Sequence, residues 1–259
     1  MQFGLFEKII EDAREHRDFV LVTVTDVQGS TPGQPGFRMA VYADGTIRGT
    51  IGGGNLEHTA RRVAQELLSS GSGPVTKSFT MEQDLGMSCG GRIQLFFEPY
   101  SPWRLTLVGG GHVAQAVAPL AQSVGFVVEV FDDRPEIAEH PWPAGVRVHI
   151  GDMVEACRSL QPALHHCALV MTYQHLRDAD TAAALVGHDL AYLGIIGSRR
   201  KAHLMLENLQ RSGAAPERLQ KVRTPVGVPV GAQTPAEIAV SVVAELIAVR
   251  AGMPLLPWT

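Results

Sequence analysis

Cysteine is scarce. Cys89, Cys157 and Cys167 are all that 259 residues contain, and no two are spaced as C-x-x-C. An odd, scattered set argues against a disulfide framework and against a cysteine-built zinc site. Long apolar runs are also missing: nothing approaches the ~18 residues needed to cross a bilayer as a helix, so no membrane is expected as a partner. Positive charge is short as well, with 22 Lys+Arg against 26 Asp+Glu and a net charge of −4. A protein that grips duplex phosphates needs a basic face. The densest basic runs, Arg61-Arg62 and Arg199-Arg200-Lys201, are too small to line such a groove, and nucleic acid is not expected. The stretch from Phe3 to Arg14 carries acids in every turn, unlike a secretory signal. A cytoplasmic location with reduced thiols is expected.

What is present is material for a core. Apolar residues make up 45% and charged residues 19%, proportions of a packed protein rather than a disordered one. At ~150 residues per domain, the length suits one large or two modest domains.

The two halves have different rhythms. Residues 4–17 carry Leu5, Phe6, Ile9, Ile10 and Ala13 on one helical stripe. The β-branched run 19–27 predicts a buried strand, and 37–43 and 46–50 predict two more joined by Asp44-Gly45, a strong hairpin signal. Between the first two strands, Gln28-Gly29-Ser30-Thr31-Pro32-Gly33-Gln34-Pro35-Gly36 must be a loop. Gly52-Gly53-Gly54 opens a helix running to about Leu68, with Asn55 as the expected N-cap. Strands at 75–80 and 92–98 close this half, and Pro99-Tyr100-Ser101-Pro102-Trp103 breaks the pattern, giving expected domains of 1–99 and 100–259. The second half alternates strands (104–108, 126–131, 146–150, 167–172, 191–196) with helices (112–123, 152–160, 178–187, 199–211, 235–250). That alternation implies a parallel sheet covered on both faces.

Leu105-Thr106-Leu107-Val108 leads into Gly109-Gly110-Gly111-His112-Val113-Ala114, a strand, then G-x-G-x-x-A, then a helix. Gly109 allows the tight turn, Gly111 lets backbone approach a phosphate, and Ala114 permits close helix–sheet packing. Asp132 follows 23 positions after Gly109, at the end of the next strand, where a carboxylate would meet a ribose hydroxyl. The turn either holds a phosphorylated ligand, NAD(P) among them, or serves only as a sharp connection. Cys89, between Ser88 and Gly90-Gly91, is either a bland free thiol or a reactive one whose pKa the flanking amides lower. Cys157 and Cys167 read as core thiols. His165-His166 reads as a solvated pair in a connector, and Ser198-Arg199-Arg200-Lys201, at a strand's end, as an anion site or plain surface charge. Ile238, Val242, Leu246 and Val249 share one stripe of the last helix, a core face or a dimer face.

Taken in order, these segments resemble the XdhC/CoxI family of accessory proteins, which mature molybdenum hydroxylases such as xanthine dehydrogenase. The resemblance rests on Gln28-Gly29-Ser30-Thr31-Pro32 with Gly36 and Met39, on Gly49-Thr50-Ile51-Gly52-Gly53-Gly54-Asn55-Leu56-Glu57, and on Cys89-Gly90-Gly91. In the second half it rests on Gly109–Ala114, Phe131-Asp132-Asp133-Arg134, Gly194–Lys201 and Pro225–Ala239. It implies a small N-terminal α/β domain followed by a Rossmann-like domain with a mainly parallel sheet, often as a homodimer. It also implies molybdenum cofactor (molybdopterin carrying molybdenum) as cargo, sulfur delivered by a cysteine desulfurase, and transfer to an apo molybdenum hydroxylase. Carried over by position, Cys89 becomes the residue for contacting molybdenum or accepting sulfur. Ser30, Thr31, Pro32, Gly52, Gly53, Gly54 and Glu57 become candidates for the pterin or its phosphate. Gly109, Gly111, His112, Asp132, Ser198 and Arg199 become candidates for a phosphate or nucleotide. The competing readings are an NAD(P)-dependent oxidoreductase built on the Gly109 turn and a scaffold that binds only protein.

Overall fold

Valines 20, 22 and 24 face one way from strand β1 (Phe19–Gln28), Phe19 and Leu21 face the other, and both faces are covered. That makes β1 the centre of an antiparallel sheet with β2 (Arg38–Tyr42), β3 (Ile47–Thr50), β4 (Val75–Thr80) and β5 (Arg92–Tyr100), in the order β3-β2-β1-β5-β4. Helix α2 (Gly54–Ser70) buries Leu56, Ala60, Val63, Ala64, Leu67 and Leu68 against the valine face. At ~1.5–3 kcal/mol per large buried apolar side chain, this face dominates the unit's stability. Helix α1 (Phe3–Arg14) covers the other face through Leu5 and Ile9, beside Phe19, Ala40 and Tyr42. A polar pin fastens it: Asp12, 2% exposed, accepts the Tyr42 hydroxyl and Arg48 Nε at 3.0 Å, with Arg17 Nη1 at 3.4 Å. Burial works against ionising Asp12, but Tyr42, Arg48 and Arg17 outweigh it and hold its carboxyl below the usual range. The computed structural model describes residues 3–15, 17–86, 90–162, 165–173, 175–211 and 213–255, and the chain divides into two units, 1–101 and 102–259.

In the second unit six parallel strands are ordered β8-β7-β6-β9-β10-β11. They are β6 (Arg104–Val108), β7 (Val127–Asp132), β8 (Arg147–Ile150), β9 (His166–Val170), β10 (Tyr192–Ile195) and β11 (Val222–Arg223). Read in chain order this is 3-2-1-4-5-6, the doubly wound Rossmann arrangement, with its direction reversing between β6 and β9. Leu105, Leu107, Val128, Val130 and Leu169 pack against α4 (His112–Ser123) and α9 (Pro235–Arg250) on one face. Val108, Phe131, Ala168, Val170 and Leu193 meet α5 (Met153–Ser159), α6 (His175–Val186) and Leu209 of α7 (Arg199–Arg211) on the other. Two short helices, α3 (Met81–Leu85) and α8 (Pro216–Leu219), complete the described elements apart from a 3₁₀ turn at Pro135–Glu139. No helix among the described residues is long and apolar enough to cross a membrane.

Two local expectations change, and one open alternative is settled. The N-cap of α2 is Gly53, not Asn55, which lies exposed in the first turn. His166 is 2% exposed rather than solvated: it opens β9, bonds Thr106 Oγ1 at 2.7 Å, and burial, aided by Arg104 and His188, pushes its pKa down to about 4. Its neighbour His165 stacks on Trp103 with ring centroids 4.8 Å apart. The α9 stripe is core, with Val242 and Leu246 fully buried. The segment before α9 is explained locally, because Thr234 and Glu237 form a reciprocal capping box.

Candidate functional site

The first unit brings three glycine-rich loops together, backbone on backbone. A methyl group built on Gly33 would sit 2.2 Å from the Ile51 carbonyl oxygen, one on Gly52 2.6 Å from the Pro32 carbonyl carbon, and one on Gly91 2.2 Å from the Ser30 carbonyl oxygen. A side chain is therefore excluded at Gly33, Gly52 and Gly91, where residues 29–33, 51–54 and 90–91 meet. Sheet order makes this possible, since the loops leave or enter β1, β2, β3 and β5, which are neighbours. Thr31 Oγ1 donates to the Gly33 carbonyl at 2.9 Å, closing the first loop on itself.

Glu57, on the first turn of α2, fastens the second loop. Its Oε1 accepts Thr50 Oγ1 at 2.5 Å, Ile51 N at 3.1 Å and Gly53 N at 3.0 Å, while Gly52 N donates to Thr50 Oγ1 at 3.1 Å. The loop amides thus already meet an anion of the chain's own, at the positive end of a helix that favours one. Ser30 and Gly54 are exposed, and Thr31, Pro32, Gly52, Gly53 and Glu57 are partly buried. The structure gathers the seven described N-terminal candidates around one rim. Cys89, with Met87 and Ser88, lies outside the described residues; Gly90 and Gly91 follow it in the chain.

In the second unit the Gly109 turn stands at the switch point. A methyl on Gly109 would lie 2.5 Å from the Met171 carbonyl oxygen, and the glycine adopts φ +102°, so the turn after β6 and the segment after β9 touch through backbone. Gly111 has open space where a Cβ would go, and His112, the first residue of α4, is exposed. Asp132 faces inward. It is 0% exposed, accepts Gly110 N at 2.7 Å and Arg134 N at 2.9 Å, and takes Arg134 Nε and Nη2 at 2.9 and 2.8 Å. Burial disfavours its charge, yet the Arg134 guanidinium and the Gly110 amide prevail and hold its pKa below the ordinary value.

Around that turn lies a cluster that no sequence pattern signals. Tyr173, 48% exposed, lies under the Arg134 guanidinium at 4.7 Å and donates to Asp133 Oδ2 at 3.3 Å, which also meets Arg177 Nη1 at 3.1 Å. Asp133 and Arg134 directly follow Asp132, but nothing in the sequence indicates that Tyr173 and Arg177, some 40 positions later, reach them. Ser198 and Arg199 sit at the end of β10, two strands from β6 and so ~10 Å away in the sheet. They are not gathered with the glycine turn. Ser198 is exposed, and its carbonyl accepts the Lys201 and Ala202 amides. Cys157 and Cys167 are buried, and burial pushes each thiol up to about 12, as inert core thiols require. Among the described residues no group of three or more His, Cys, Asp or Glu is placed to hold a metal ion.

Known proteins place this architecture. Residues 105–246 match the family model described as the XdhC Rossmann domain, and residues 12–79 match that of the XdhC and CoxI family. The chain is 32% identical over 263 aligned residues to the protein YqeB of Escherichia coli K12, covering 97% of this chain and 47% of YqeB. It is 33% identical over 148 residues to a probable xanthine dehydrogenase subunit of Bacillus subtilis 168, covering 57% of this chain and 43% of that one. The molybdenum cofactor insertion chaperone PaoD of Escherichia coli K12 shares 25% identity over 313 aligned residues, 93% of this chain and 86% of PaoD. The chain thus spans slightly under half the length of the first two relatives. Among solved structures, a xanthine dehydrogenase from Bacillus halodurans has a TM-score of 0.53 at 21% identity, with 96% of each chain covered, a likeness of fold alone. With models of one family matching both halves in order, the chain belongs to the XdhC/CoxI family.

Proposed function

We propose that this protein is a maturation factor that carries molybdenum cofactor, supports its sulfuration with sulfur from a cysteine desulfurase, and delivers it to an apo molybdenum hydroxylase of the xanthine dehydrogenase type, working as a homodimer. The observation that carries the reading is the close meeting of three glycine-rich loops in the first unit, the third of which continues directly from Cys89. A glycine that faces open space, as Gly53 and Gly90 do, lets a flat, phosphorylated guest come close to backbone without meeting a side chain. The name of PaoD, an insertion chaperone for this cofactor, supports the same reading.

In this reading Ser30, Thr31, Pro32, Gly52, Gly53 and Gly54 form the rim that receives the pterin or its phosphate, and Glu57 holds that rim in shape. Cys89 supplies a soft thiolate for the molybdenum or for the arriving sulfur. A sulfurated molybdenum centre is labile in water, so a carrier must shield it yet hold it weakly enough to give it up. The second unit contributes a nucleotide or phosphate position at Gly109, Gly111 and His112, while Ser198 and Arg199 are candidates for a separate anion contact at the end of β10.

The alternative, an NAD(P)-dependent oxidoreductase, draws on the strand order and the glycine turn of the second unit. Against it, Asp132 is turned inward and committed to Gly110 and Arg134, so the carboxylate expected to meet a ribose is engaged elsewhere. Purification of the full chain from a cofactor-producing host separates the readings by pterin fluorescence after oxidation. Stoichiometric pterin is expected. Tight NADH binding without pterin would reverse the choice, and neither ligand together with a stable hydroxylase complex would leave only a scaffold.

A further inference from the structure

The helices on the two faces of the parallel sheet differ in charge. On one face, α7 has five Asp, Glu, Lys or Arg in 13 residues. On the other, α4 has none in 12. Its neighbour α9, packed beside it, has three in 16, and none stands in the middle of the outer surface. Glu237 belongs to the capping box, Glu245 is 1% exposed, and Arg250 donates to the Val124 carbonyl and lies over the Phe126 ring. What the pair shows to solvent is apolar. Val240 is 59% exposed and Ile247 38%, with exposed Ala244 between them, and Leu120 of α4 is 37% exposed. Val242 and Leu246 already face the core, so α9 is apolar on opposite sides, the character of a helix with neighbours all round.

We propose that the outer face of α4 and α9 is the surface through which two copies of this chain pair about a two-fold axis. The inference rests on the homodimer of the cofactor-carrier reading and names where its halves meet. Three observations select a second copy. A two-fold axis sets a surface against itself, so a face with charge of one sign would repel its copy, and this one carries none across its middle. Ala236, Val240 and Ala244 recur every four residues. Such a row packs into the matching groove of a second helix at about −50°, and its alanines let the axes approach the short end of the ~8–10 Å range. The area suffices too. With α9 about 24 Å long and the pair about 20 Å wide, ~480 Å² per copy makes ~1,000 Å² in all, where specific interfaces begin. A membrane surface fits less well, because helices that lie on lipid are rich in lysine and arginine on their polar face, and α4 has neither.

Sedimentation equilibrium of the full chain tests this, with pterin measured on the same samples. The native chain is expected to be dimeric, and no less so at high salt than at low, since no ion pair holds it. Val240→Lys buries a charge in each half and should raise the dimer dissociation constant about 100-fold or more. Its circular dichroism should stay native, because Val240 is a surface residue. Ala244→Cys should give a covalent dimer on mild oxidation, while Leu204→Cys, exposed on α7, should add nothing to the native background. Should Val240→Lys not fold, that crosslink decides. A native chain that is monomeric at every concentration overturns the proposal, whether or not it pellets with phosphatidylcholine vesicles. So does a dimer that Val240→Lys leaves intact, or an Ala244→Cys chain that does not crosslink. Pterin without dimers would sink the interface alone, and dimers through this face without pterin would sink only the carrier role.

Discussion

Each unit closes a strand with a glycine turn and ties that turn down with a carboxylate, but the two ties are built differently. In the second unit Asp132 is sealed from water and neutralised through two guanidinium bonds by Arg134, whose side chain is 29% exposed, so a buried turn and carboxylate are capped by a cation at the surface. In the first, Glu57 is only partly buried, and its Oε1 gathers two amides and a hydroxyl. A buried ion pair resists change because removing one partner strands the other. A partly buried carboxylate on neutral donors gives way at lower cost. The difference suits the proposed division of labour, with a yielding rim where cargo is taken up and released and a fixed turn in the parallel sheet.

Substitution and titration put that contrast at risk. The largest effect is expected where glycine loops meet. Gly33→Ala forces a methyl against the Ile51 carbonyl and should cost about 4 kcal/mol in urea unfolding, whereas Gly111→Ala, with open space, should stay within about 0.5 kcal/mol. Next, Asp132→Asn should cost about 3 kcal/mol by leaving Arg134 without its charge partner; Glu57→Gln should cost about 1 kcal/mol, a few weakened neutral bonds. Equal costs would erase the distinction between the two ties.

Acid separates the units as well. The folded state prefers neutral His166, whose pKa burial lowers from 6.5 to about 4. The unfolded chain therefore binds the proton first. Stability of the second unit is full above about pH 6.5 and declines by about 3 kcal/mol as pH falls toward 4. Asp12, held below 3.8 in the first unit, contributes stability above that value and loses it only at lower pH. Trp103, Trp142 and Trp258 all belong to the second unit, so tryptophan fluorescence should report its unfolding at milder acid than the circular dichroism of the whole chain. His166→Gln should remove the difference. No atom obstructs a methyl at Gly53, but φ +86° with ψ −177° is a region essentially reserved to glycine, so Gly53→Ala should cost about 2 kcal/mol in urea unfolding, from backbone strain alone.

Much of the fold was legible in the residues. β6, β4, α4, α7 and α9 have the expected bounds, because each carries a clear period, a glycine boundary or a cap. α3, α8 and β11 span two to five residues, too few for any period to register. The rest of what was missed depends on direction. Asn55 looked like the better cap by residue type, but Glu57 reaches back to the Ile51 and Gly53 amides and fixes the helix start at Gly53. Asp132 stands at the expected strand end, yet Arg134, two residues on, turns it inward. The glycines at 33, 52 and 91 were visible as loop residues, while their contact with Ile51, Pro32 and Ser30 follows from sheet order, which no local pattern encodes.

Pterin content in two variants tests the carrier role most directly. Full chains bearing Cys89→Ser or Gly111→Val are purified beside the native protein from one cofactor-producing host, and their pterin is measured per mole of protein. If the first unit's rim and the thiol beside it hold the cargo, Gly111→Val retains a native complement and Cys89→Ser comes away nearly empty. Full loading of Cys89→Ser together with an empty Gly111→Val would contradict that placement and put the guest at the Rossmann turn instead.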